Sequence, residues 1–123
     1  MDWTITDERP IWLQLQEQLT LRIVTGHYPS GSRLPSVREL AGEAGVNPNT
    51  MQRALSALEG SGMVVTNRTA GRIVTEDETL LDRTRMELAR RRMSDYRAEM
   101  KKLGFSAAEA ANLLMEEELW KDN

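Results

Sequence analysis

The side chains best equipped for chemistry in this chain lie between Asn47 and Arg53, where Asn47, Asn49, Thr50, Gln52 and Arg53 share one stretch with Pro48 and Met51. A carboxamide presents a donor and an acceptor side by side, which suits the edge of adenine, and a guanidinium suits the paired acceptors of guanine. Hydroxyls and the free N–H groups of a helix start suit phosphate oxygens. The stretch therefore reads as a recognition surface for a nucleic acid. Reaction chemistry has few candidates. With no cysteine there is no thiolate metal site, thiol nucleophile or disulfide, and the one histidine, His27, reads as a turn residue. No nucleophile, base and orienting group come together, so an enzyme is the least supported reading, and neither a metal nor a cofactor is expected.

Placing those polar groups requires a helix, and the surrounding spacing supplies one. Asn47 can cap it, Pro48 fits the first helical position, and Met51, Ala54, Leu55 and Leu58 form an apolar stripe that leaves Asn49, Gln52, Arg53 and Ser56 on the other face. The spacing predicts a helix over about 48–60, ended by Gly60 and Gly62. A shorter helix over about 36–44 precedes it, opened by the capping box of Ser36 and Glu39 and closed by Gly45. A first helix over about 10–25 begins at Pro10 and buries Ile11, Leu15, Leu19 and Ile23. The intervening "HYPSGSRLP" is turn chemistry and should run over the surface. After the polar helix, "MVVT" (63–66) and "RIVT" (72–75) flank "NRTAG", which predicts a β-hairpin around an Arg-bearing loop.

The remaining residues change register. Met86, Ala89, Met93, Tyr96, Met100 and Leu103 alternate steps of three and four, a narrow seam suited to another helix. Gly104 stops that helix, Phe105, Ser106 and Glu109 start a last one, and Leu113, Leu114 and Trp120 supply its apolar side. The run Arg90, Arg91 and Arg92 has Glu87, Asp95 and Glu99 at salt-bridging distances along the helix, and is expected to be an exposed ion-paired face. Two such helices have little to bury within one chain, so a second copy is expected, giving a homodimer.

At 123 residues the chain holds one domain and an appendage. Its 40% hydrophobic and 28% charged residues favour a folded protein. The net charge of −3 looks unfavourable for a polyanion partner, but the acidic excess belongs to the tail. Within residues 30–75, Arg33, Arg38, Arg53, Arg68 and Arg72 outnumber Glu39, Glu43 and Glu59. Local charge governs binding, since salt screens over about 8–10 Å. No stretch approaches a membrane span and the amino terminus lacks an apolar run, so a cytoplasmic location with no membrane partner is expected.

Two helices joined at a glycine turn, the second polar on its outer face, followed by a two-stranded ribbon, describe a winged helix-turn-helix. The expected fold class is mainly α with a small β-wing: a winged helix-turn-helix domain over residues 1–76, then a two-helix dimerisation tail over 77–123. "RPIWLQLQEQL", Gly26, "PSGSRLPSVRELA" and "GVNPNTMQRALSALEGSGMV" together resemble the amino-terminal domain of GntR-type bacterial transcription regulators. The short tail is similar to that of the YtrA subgroup.

The resemblance implies a homodimer on a palindromic operator of double-stranded DNA, usually as a repressor and often beside transporter genes. It carries DNA contact to Arg38, Asn47, Pro48, Asn49, Thr50, to Gln52 or Arg53, and to Gly71 at the wing tip. Many relatives have two wing glycines and a following Phe; here the loop has one glycine and Ile73, which turns attention to Arg68 and Arg72 as minor-groove or phosphate contacts. A winged-helix adaptor that binds another protein is the alternative, with "MEEELWKDN" as its acidic docking end. The Met-rich seam identifies no small-molecule effector.

Overall fold

In a computed structural model that describes residues 2–116, the elements follow in the order α1 (Ile11–Val24), α2 (Val37–Ala44), α3 (Pro48–Gly60), β1 (Val64–Asn67), β2 (Gly71–Val74), α4 (Glu78–Lys102) and α5 (Ala107–Glu116). Mainly helical, with a two-stranded antiparallel wing, the architecture agrees with the expected class. Backbone contacts divide it into a unit ending at Arg85 and a unit beginning at Met86.

The first unit is organised around α3, which packs against α1, α2 and β1. Met51, Ala54, Leu55 and Leu58 are fully buried there, facing Leu15, Leu19 and Leu40, which are equally inaccessible. One stripe of α3 thus supplies the centre of the core and frees the opposite face for solvent. Pro10 lies just before α1 as its cap, one position earlier than its spacing implied. The compact unit also runs past the expected boundary at residue 76, for an apolar reason: Leu81 in the first turn of α4 is buried, and Leu80 Cδ2 lies 3.2 Å from where a Cβ on Gly62 would stand. Asp77 caps that turn by accepting from the Leu80 N–H at 3.1 Å.

The segment read as a surface turn is only partly one. Residues 31–34 run along β2, where Gly31 N–H donates to Val74 O, Val74 N–H to Ser32 O and Leu34 N–H to Arg72 O, at 2.8–3.0 Å. Leu34 is buried as a result. These bonds cover one edge of a hairpin that would otherwise be marginal alone.

An arm before α1 is clipped along it by side chains one helical turn apart. Gln14 accepts from Thr6 N–H at 2.8 Å and donates to the carbonyls of Thr6 and Arg9. Gln18 makes the same pair of bonds to the backbone of Thr4. Arg22, one turn further and buried, lies 3.9 Å from the Trp3 ring centre and donates to Tyr28 Oη at 2.9 Å.

In the second unit, Ser106 and Glu109 form both bonds of a capping box: Glu109 N–H donates to Ser106 Oγ at 3.1 Å and Ser106 N–H to Glu109 Oε1 at 3.0 Å. Those bonds hold the Glu109 carboxyl below its ordinary pKa, the one from the Ser106 backbone most. The ion pairs of α4 among the described residues are Arg85–Asp82 and Lys102–Glu99, each three residues apart at 3.2 Å. Arg90, Arg91 and Arg92 are not in them, contrary to expectation. Salt bridges this exposed are worth too little to hold long side chains in one geometry.

Candidate nucleic-acid interface

The turn between α2 and α3 fixes how α3 is presented. Ser36 Oγ accepts from Glu39 N–H at 3.1 Å and opens α2; Gly45 closes it at φ 69°, a left-handed conformation that suits glycine. Two residues later Asn47 Oδ1 accepts from Asn49 N–H at 2.7 Å, and Pro48 stands at the first helical position, where it has no N–H to satisfy. Both helix starts therefore follow from local side-chain chemistry.

This geometry puts Asn47, Pro48, Asn49, Gln52 and Arg53 in solvent at and beyond the α3 N-terminus, with Thr50 half-buried beside them. Arg38, in the first turn of α2, is exposed too. The Asn47 oxygen is occupied by capping, and the residue is exposed. Gln52 Nε2 approaches Ser56 Oγ only to 3.5 Å, a contact too long to immobilise it. The Arg53 guanidinium carbon lies 4.4 Å from the Trp12 ring centre, so a cation–π contact ties α3 to α1 through an exposed residue.

The wing pairs Val64 with Val74, Val65 with Ile73, Thr66 with Arg72 and Asn67 with Gly71. Its strands are shifted by one residue from the expected ends because Asn67 belongs to β1 and organises the loop. Asn67 Oδ1 accepts from Thr69 N–H, Thr69 Oγ1 and Ala70 N–H, at 2.9, 2.9 and 3.1 Å. Arg68 is left exposed at the tip, and Gly71 returns the chain at φ 82°.

Arg72 is placed differently from Arg68. Its Nε donates to Glu59 Oε1 at 2.6 Å, and it is half-buried. Hydrogen bonds from Arg72 first and Thr66 second hold the Glu59 carboxyl below its ordinary pKa.

Arg33 completes the basic edge. It is exposed, bridges to Ile73, and its Nε lies 3.6 Å from where a Cβ on Gly71 would stand. The sequence counted it in the local charge but gave it no place, because the turn-like segment around it hides its pairing with β2.

In the second unit the seam residues are largely uncovered: Met86 is 51% exposed, Met93 58%, Tyr96 38% and Leu103 71%. Ala89 is exposed; Met100, Leu113 and Leu114 are half-buried. Trp120 lies outside the described residues.

A winged helix-turn-helix with a polar recognition helix is the architecture of a DNA-binding regulator. Residues 12–74 match the bacterial regulatory proteins of the gntR family, and the chain belongs to that family. It is 37% identical to the uncharacterized HTH-type transcriptional regulator YhcF of Bacillus subtilis, across 89% of this chain and 90% of that protein. It is 38% identical to the HTH-type transcriptional repressor YtrA of Bacillus subtilis over 55% of this chain and 52% of that one. A GntR family transcriptional regulator from Listeria monocytogenes superposes with a TM-score of 0.83 at 34% identity, covering 93% of this chain and all of that one. The chain is accordingly a helix-turn-helix transcriptional regulator that binds DNA. Among the described residues no helix is long and apolar enough to cross a membrane.

Proposed function

We propose that the protein is a homodimeric repressor that binds a palindromic operator, with transporter genes as candidate targets, and that it works in the cytoplasm without enzymatic activity or cofactor. The observation that carries the reading is the division of α3, whose buried stripe anchors it while its polar first turns stay in solvent. In this reading Asn49, Thr50 and Gln52 meet base edges, Asn47 and Pro48 orient the helix start, and Arg38, Arg53, Arg68 and Arg33 meet phosphates or base edges. Gly71 lets the wing approach the backbone.

The seam of α4 supports the second copy. Fully burying a Met or Leu side chain contributes about 1.5–3 kcal/mol, so covering Met86, Met93 and Leu103 against a partner would add several kcal/mol. Pairing two half-sites about 34 Å apart then raises affinity through effective concentration.

The experiment is fluorescence anisotropy with a duplex that the protein selects from a random pool, against a scrambled duplex of equal length, in a salt series. Strong preference for the selected duplex, with affinity falling as salt rises, is expected. Equal, weak binding to both would favour a protein-binding adaptor. Sedimentation of the free protein tests the dimer, and a monomer at micromolar concentration would refute it.

A further inference from the structure

We propose that Glu59 and Arg72 form a latch that sets the wing against the recognition helix, making Arg72 a positioning residue for DNA binding in place of the direct contact its loop position suggests. The inference rests on the DNA-binding reading of α3 and the wing.

Glu59 stands in the last turn of α3, at the end opposite the base-reading residues, and Arg72 near the start of β2. The Nε–Oε1 distance of 2.6 Å is short, and the side chains are only 21% and 34% exposed for Arg72 and Glu59. Thr66 lies directly across the ladder from Arg72, so the held residue sits on a rung that joins both strands. One carboxylate at the end of α3 therefore grips β2 at a rung that the ladder ties to β1. Among the described residues this is the ion pair that joins wing and α3.

The wing needs such a grip. Its strands are four residues each, and its base is held by buried Val64 and Val74 and by pairing with residues 31–34. The side chains beyond the base are exposed or half-buried. Arg68 and Gly71 lie at the end whose direction the latch sets. An Arg72 recruited by a phosphate would have to share or abandon its carboxylate.

The test turns on a sign. Removing an acidic charge beside bound DNA tightens binding on electrostatics alone, whereas breaking a latch weakens it. Full-length Glu59→Gln, Arg72→Gln and the double variant are titrated with a duplex selected by the wild-type protein, across a salt series, and their thermal melts verify folding. Each single change is expected to weaken binding about threefold to tenfold, with the double variant no weaker than either, as coupled partners require. The slope of affinity against salt should stay unchanged in all three.

If Glu59→Gln binds as well as or better than wild type while Arg72→Gln lowers that slope by about two across both half-sites, Arg72 is a phosphate ligand and the latch is refuted. Unchanged affinity in every variant refutes it too. A pool that yields no preferred duplex would count against the operator, not the latch. Amide exchange over residues 65–72 of the free protein then decides: faster exchange in both single variants supports the latch, and wild-type rates overturn it.

Discussion

Arg38 occupies the first turn of α2, exposed, with no hydrogen bond or ion pair among the described residues. A cation there faces the positive end of the helix dipole, an arrangement that costs about 0.3–1 kcal/mol. Arg38→Ala should therefore leave stability within about 0.5 kcal/mol of wild type and shift it, if at all, upward. Binding should respond in the opposite sense. A good bidentate contact to a base discriminates by about 1–3 kcal/mol, and a dimer makes it twice. A loss of about 2–6 kcal/mol corresponds to roughly thirtyfold to twenty-thousandfold weaker operator binding. If the contact is to phosphate, the loss is smaller and the salt slope falls by about two across both half-sites. Thermal unfolding and anisotropy in a salt series measure the two sides. Wild-type affinity and slope would refute the placement of α2 on the duplex, and a melting temperature several degrees lower would refute the claim that Arg38 has no structural role.

Leu55→Ala empties a site of zero exposure at the centre of the α3 packing and should cost about 2–5 kcal/mol, read as a fall in melting temperature on the order of 10 °C or more. Asn47→Ala removes the oxygen that accepts from Asn49 N–H and should cost about 1 kcal/mol in chemical denaturation, alongside any loss of DNA affinity. Ending the chain after Arg85 keeps the first unit with its buried Leu81 and should give a folded monomer with much weaker operator binding; a dimer in sedimentation would place the dimer contact elsewhere. Because the folded pKa of Glu59 lies below the ordinary 4.5, its stabilising contribution is fully present above that value and disappears as pH falls through the lowered folded value. The difference in melting temperature between wild type and Glu59→Gln should accordingly be constant near neutrality and shrink below pH 4.5.

What could be read from the amino acids was what local chemistry decides. The stripe Met51, Ala54, Leu55 and Leu58, the Asn47 cap and the Gly45 reversal each act within one or two helical turns, and all three appear where their spacing puts them. What the sequence did not show has a different origin. Residues 31–34 pair with β2 some forty positions away, so their turn-like composition concealed a strand edge. The clips of Gln14 and Gln18 on the arm join side chain to backbone across 8 and 14 positions and leave no periodic trace. Arg72 meets Glu59 only because α3 and the wing are folded against each other, a pairing that the loop pattern does not record. The exposed faces of Arg38, Asn49 and Gln52 were foreseeable because exposure is the complement of a legible core stripe.

The cation–π contact between Arg53 and Trp12 places a candidate DNA-contacting side chain on a fluorescent ring. A guanidinium resting on an indole face perturbs the emission of the ring. If Arg53 meets DNA as proposed, it must leave the Trp12 face. Binding is then expected to change the emission of Trp12, read without a dye in a protein whose Trp3 and Trp120 are replaced by Phe.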